Sequence, residues 1–92
     1  MVRLELHQKF LRSIGALSPA EVSRLETALR ALQDGFGQPH AHSGLGIRRL
    51  HKDLFECRAS RRLRVLFYAQ KGVLTIMAAM DHDAVEDWLR NL

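Results

Sequence analysis

Three runs decide the fold: Leu54-Phe55-Glu56-Cys57-Arg58, Leu63-Arg64-Val65-Leu66-Phe67-Tyr68-Ala69 and Val73-Leu74-Thr75-Ile76-Met77-Ala78-Ala79-Met80. Ala59-Ser60-Arg61-Arg62 parts the first two, and Gln70-Lys71-Gly72 parts the last two. Short runs rich in apolar residues, separated by polar turns, read as neighbouring strands of an antiparallel meander. The third run is almost wholly apolar, which predicts a central strand buried on both faces. Working backward, Ile47 to Leu50 reads as a short strand leading into a turn at His51-Lys52-Asp53. Working forward, Asp83 or Asp81 can cap a last helix with Val85, Trp88, Leu89 and Leu92 on its inner face.

The N-terminal half carries a different periodicity. Val2-Arg3-Leu4-Glu5-Leu6 alternates strictly, as a short strand does, while Leu6, Phe10, Ile14 and Leu17 fall at helical spacing. The reading taken is a short strand running into a helix from about His7 to Ile14, ended by Gly15. Ser18-Pro19-Ala20-Glu21 has the form of a capping box with proline at the first helical position. Val22, Leu25, Leu29, Leu32 and Phe36 then form the inward stripe, and Glu21, Arg24, Glu26, Arg30 and Gln33 face water. Gly35 and Gly37 stop this helix, and the tight link from Gly15 to Ser18 folds the two helices into a hairpin. Gln38 to Gly46 reads as a loop. His40 and His42 lie two apart in it, but no further ligands stand nearby, so no metal site is expected there.

These elements predict an α+β fold: an N-terminal strand, a two-helix antiparallel hairpin, a three- to four-stranded antiparallel sheet and a short C-terminal helix. A chain of 92 residues is expected to form a single domain, residues 1–92, with one modest core. No apolar run approaches the roughly 20 residues of a membrane helix, and no membrane partner is expected. The first residues mix charge with apolar side chains, unlike a secretory signal. One cysteine, Cys57, excludes an internal disulfide, so the expected setting is reducing and cytoplasmic.

Charge is unevenly spread. Ile47 to Lys71 holds eight basic residues (Arg48, Arg49, Lys52, Arg58, Arg61, Arg62, Arg64, Lys71) against Asp53 and Glu56. That segment nets +6 in a chain of net +4, so the remainder is mildly acidic. Such an asymmetry points to an anionic partner, either nucleic acid or an acidic protein. Period-two geometry narrows the surface. Leu63, Val65, Phe67 and Ala69 share the side that the helices need, which sends Arg64 to the open side. On the preceding strand, Phe55 and Cys57 match the core side, and Glu56 and Arg58 the open side. His82 emerges just past the end of the last strand. A carboxylate, a histidine and several arginines around one cleft are the parts needed to cleave RNA without a metal or other cofactor. A 2′-hydroxyl must lose a proton, the 5′-oxygen must gain one, and guanidinium groups can stabilise the phosphorane between them. The structural readings stand beside this. Glu56 can simply pair with Arg58 or Arg64, His82 can be a capping residue, and Trp88 can belong to the core.

The order of elements, together with Arg49-Leu50, Leu54 to Arg58, Leu63-Arg64-Val65-Leu66-Phe67, Leu74 to Met80 and Asp81-His82-Asp83-Ala84-Val85, resembles the RelE/ParE superfamily of bacterial toxins. The RelE/YoeB/YafQ-like branch fits better than ParE. The resemblance implies the toxin of a type II toxin–antitoxin system, a ribosome-dependent mRNA endonuclease (mRNA interferase) that inhibits translation. It implies Arg64 at the scissile phosphate, His82 as general acid and Trp88 near the place of a base-stacking aromatic. Glu56 is a candidate general base on chemical grounds alone. Arg48, Arg49, Lys52, Arg58, Arg61, Arg62 and Trp88 are the expected RNA-binding residues. The two lysines that RelE carries on the strand before the arginine are replaced here by Leu54 and Glu56. The implied partners are a cognate antitoxin, the ribosome and mRNA. The alternatives are a ParE-type inhibitor of DNA gyrase and a non-catalytic member that binds an acidic protein.

Overall fold

The computed structural model describes residues 2–37 and 44–92. The loop expected over residues 38–46 therefore lies largely outside the described residues, and so do His40 and His42.

β1 (Arg3–Leu6) leads through His7 into α1 (Gln8–Ser13). His7 caps this helix, its Nδ1 accepting from the Lys9 amide at 3.0 Å. Gly15 does not end the helix in a left-handed conformation. The chain tightens instead into a 3₁₀ turn over Ile14–Ala16. α2 (Pro19–Gly35) starts as expected: Ser18 Oγ accepts from the Glu21 amide, and Glu21 Oε1 accepts from the Ser18 amide. Leu25, Ala28 and Leu32 form its buried stripe, with Val22, Leu29 and Phe36 partly exposed.

The strands are β2 (Arg48–His51), β3 (Leu54–Arg58), β4 (Leu63–Gln70) and β5 (Val73–Asp81). They form a five-stranded sheet in the order β1-β5-β4-β3-β2. The four later strands run as the expected antiparallel meander, and β1 adds to it in parallel, with Leu4 opposite Leu74. The β4–β5 turn places Lys71 and Gly72 at φ 49° and 80°, the geometry whose twist matches paired strands and which favours glycine. β5 is central, but it is not buried on both faces: Leu74 and Ile76 are fully buried while Thr75 and Met77 remain partly exposed.

The main core lies between the helices and one sheet face. It joins Phe10, Leu25 and Leu32 to Cys57, Leu63, Val65, Phe67, Leu74, Ile76 and Ala79. Phe36, Phe55 and Phe67 meet there with ring centroids 5.6–5.7 Å apart. Ser13 ties α1 to the sheet, accepting at Oγ from the Ala79 amide at 3.0 Å. α3 (His82–Arg90) starts at Asp81, whose carboxylate accepts from the Ala84 amide. It packs against β4 and β5 and buries Val85, while Trp88 and Leu89 are half-buried. Leu92 is exposed rather than inward, because the helix ends before it. No helix among the described residues is long and apolar enough to cross a membrane.

Candidate functional site

Two irregularities in the sheet decide which charged residues meet. Between β2 and β3 the pairing runs His51 with Leu54, then Arg49 with Phe55 and Arg48 with Glu56. Uninterrupted pairing from the turn would have set Arg49 opposite Glu56. The extra residue on β2 puts Arg48 there instead and sends Arg49 to the helix side. Between β4 and β5, the partner of Leu66 is Ala78 but that of Phe67 is Ile76. Met77 is thus an extra residue in β5, a β-bulge. Beyond it the parity of β5 flips. Ala79 turns into the helix-side core, and Met80, paired with Arg64, joins the charged face.

That face carries Arg48 and Glu56 in one cross-strand row, and Arg58, Arg64 and Met80 in the next. Gly46, Arg48, Glu56, Arg58, Arg64 and His82 line a cleft of about 250 Å³. The parity argument therefore placed Glu56, Arg58 and Arg64 correctly, and His82 stands at the strand end where it was expected. The face is less open than expected, since Leu54, Leu66 and Ala78 on the same side are buried.

Glu56 is 4% exposed, the one buried charged side chain among the described residues. Its Oε1 accepts from Arg48 Nη2 at 2.6 Å. Its Oε2 makes no hydrogen bond and lies 3.8 Å from Arg64 Nε. Arg64 is largely enclosed too, and its Nη1 donates to the carbonyl oxygens of Ser60 and Arg61, both at 3.2 Å. The β3–β4 turn thereby anchors the guanidinium from behind. Glu56 has the structural role that the sequence left open, but its closest partner is Arg48. Oε1 is engaged by Arg48, and Oε2 is buried beside Arg64 without a hydrogen bond.

His82 is well exposed, with Nε2 3.9 Å from Glu86 Oε1 one helical turn on. It lines the cleft and also a shallower depression with Arg61, Arg62, Asp81 and Asp83. Arg61 and Arg62 thus reach the rim of the site. Arg48 and Arg58 line the cleft itself, whereas Arg49, Lys52 and Trp88 are not part of its lining. Arg49 donates to the Lys52 carbonyl at 2.6 Å at the far end of the β2–β3 hairpin. Trp88 lines a separate depression with Lys9, Asn91 and Leu92. Gly46 escaped the sequence reading. Its φ of 59° is costly for other residues, and a Cβ there would touch the Arg58 side chain at 3.7 Å. The signal was its place in Gly44-Leu45-Gly46, just before a strand.

A larger depression at the other end of the sheet, near 750 Å³, is bounded by Glu5, Asp53, Lys71 and Thr75 and has neither arginine nor histidine in its lining. Among the described residues no cluster of three or more His, Cys, Asp or Glu is placed to hold a metal ion. The cleft itself offers guanidinium groups that can bind a phosphodiester and an imidazole that can move a proton beside it.

No family model matches the sequence, and no curated protein matches it. Solved structures do. The RelE–RelB complex of Pyrococcus horikoshii OT3 has a chain that aligns over 87% of this one and 93% of its own, with TM-score 0.70 and 17% identity. The RelB–RelE antitoxin–toxin complex of Methanococcus jannaschii matches over 90% and 95%, with TM-score 0.72 and 8% identity. YafQ of E. coli strain BL21(DE3) matches over 92% and 98%, with TM-score 0.72 and 10% identity. Sequence identity this low carries no residue roles, but the backbone agreement spans nearly every element, and on it this chain has the fold of the RelE-like toxins.

Proposed function

We propose that this chain is the toxin of a type II toxin–antitoxin pair and acts as a ribosome-dependent mRNA endonuclease. The observation that carries this reading is the cleft: Arg48, Arg58 and Arg64 around Glu56, with His82 on the rim. In this reading the mRNA backbone lies across the cleft and Arg58 and Arg64 hold the scissile phosphate. The 2′-oxygen attacks phosphorus as its proton leaves, the P–O5′ bond breaks, and His82 gives the 5′-oxygen its proton. The products are a 2′,3′-cyclic phosphate and a free 5′-hydroxyl. Glu56 is buried beside Arg48 and Arg64, so in this reading the proton of the 2′-hydroxyl passes to solvent water. Arg61 and Arg62 extend the grip along the backbone.

The partner in this reading is a cognate antitoxin, the counterpart of the RelB chain in the two archaeal complexes. A groove of about 370 Å³ beside α2 fits such a partner. Ala28, Ala31, Leu45 and Ala59 give it an apolar floor, and Arg24 and Arg58 a basic rim. An amphipathic acidic segment complements both. Arg58 lines this groove and the cleft alike, so a carboxylate seated on it competes with RNA.

Controlled expression tests the proposal. The wild-type chain is expected to arrest growth and leave ribosome-bound mRNA cut, and Arg64→Ala and His82→Ala to abolish both. Full toxicity in both variants would overturn the site. Intact mRNA with broken DNA and stalled gyrase would favour the ParE-type alternative, and no growth effect would favour a non-catalytic binding role.

A further inference from the structure

We infer that Glu56 is a positioning residue that presents Arg64 and Arg48 to the phosphate; this rests on the proposed cleavage reaction for its meaning and on the geometry of the free protein for its warrant. A carboxylate on a central strand row, almost fully buried with one oxygen unbonded, is an expensive feature. It persists because cations face it from both neighbouring strands. Arg48 is its direct cross-strand partner on β2, and Arg64 on β4 lies diagonally across. The Arg48 contact uses Oε1, so Oε2 remains for Arg64.

Arg64 is hydrogen-bonded at one of its three nitrogens and ion-paired at a second. Nη1 is fixed by the Ser60 and Arg61 carbonyls, and Nε faces Glu56 Oε2 at 3.8 Å. A shift of about 1 Å closes that gap to a hydrogen bond. The remaining nitrogen, Nη2, has no hydrogen bond among the described residues and is the one available to a ligand. Glu56 and the turn carbonyls thus set the plane of the guanidinium, and the phosphate meets its free corner. Charge balance points the same way. Three arginines and one carboxylate leave the cleft a net of two positive charges. That offsets a dianionic phosphorane better than the monoanionic ground state, which is the differential binding that catalysis needs. Without Glu56, three like charges would share the cleft and repel one another.

The discriminating variant is Glu56→Gln, which keeps the shape and can still accept from Arg48 but removes the charge facing Arg64. Ribosome-dependent cleavage is measured across pH for wild type and variant, alongside the Arg64 Nε–H signal of the free protein by NMR. The expected result is a loss of about a hundredfold in cleavage, as for an arginine displaced by about 1 Å, with the shape of the pH profile unchanged. The Nε–H signal shifts and exchanges faster with water. Wild-type activity in Glu56→Gln would overturn the inference. So would loss of the acidic limb of the pH profile, which would make Glu56 the base. If the wild-type chain cuts no RNA, the proposed function fails, and the NMR measurement still decides the positioning. An Arg64 signal that ignores the substitution overturns it.

Discussion

Cys57 shows how one residue's chemistry follows from its face. It points from β3 into the helix-side core and is fully buried. Burial, with a smaller push from the neighbouring Glu56 carboxylate, raises its thiol from 9.0 to about 12. The thiolate is the reactive form, so the native protein is expected to resist alkylation at mildly alkaline pH and to react stoichiometrically once unfolded in urea. Rapid labelling of the folded protein would refute this. The sign for stability follows. The neutral thiol is favoured in the fold, so its contribution is full below pH 9 and is lost as pH rises toward about 12. Cys57 was legible from parity alone, and so were its neighbours Glu56 and Arg58. Arg48 was not. Its pairing with Glu56 depends on one extra residue in β2, and nothing in Arg48-Arg49-Leu50-His51 marks which arginine the bulge selects.

At the level of elements, local signals were read well and long-range ones poorly. The capping box at Ser18 formed as written, because its two hydrogen bonds need only residues three apart. Replacing Ser18 with Ala is expected to cost about 1 kcal/mol in urea unfolding. The box also carries a pH signature. The Ser18 backbone amide, and then its hydroxyl, hold the Glu21 carboxyl below its ordinary 4.5. Its contribution is therefore present above that value and is lost as pH falls through the lower native one. Glu21→Gln is expected to flatten the acid limb of stability against pH, and an unchanged limb would rule the box out as a source of acid sensitivity. Other features had no local signature. The strand pattern of Val2 to Leu6 could not reveal that β1 runs parallel to β5, since that pairing joins residues about 70 apart. α1 ends within a residue of the expected place, but not by a left-handed glycine, because Gly15 stands in a 3₁₀ turn where no positive φ is required. The bulge at Met77 was hidden inside an apolar run that reads equally well in either parity.

Over the whole molecule, the basic segment read from the sequence resolves into distinct places. Arg48, Arg58 and Arg64 meet in the cleft, and Arg61 and Arg62 flank it. Lys71 lies at the opposite end of the sheet near Glu5 and Asp53, and Arg90, from the C-terminal helix, pairs with Asp87. Net charge alone would weight all these cations alike. The fold instead predicts that position decides which of them release counterions when RNA binds. For single-stranded RNA each phosphate neutralised adds about 0.7 to the slope of log affinity against log salt. Arg58→Ala and Arg61→Ala should therefore each lower that slope by close to one contact, and the double variant by close to two, because the residues stand on separate parts of the rim. Lys71→Ala and Arg90→Ala should leave the slope unchanged, although each removes the same charge from the chain. Titrations of a fluorescent single-stranded RNA at several salt concentrations make the comparison. If all four variants lowered the slope equally, binding would follow total charge, and the cleft would lose its claim to be the RNA site. If only the cleft-side pair did so, the selectivity would come from the regular β3–β4 hairpin, which carries Arg58 on its strand and Arg61 in its turn to the same end of the sheet.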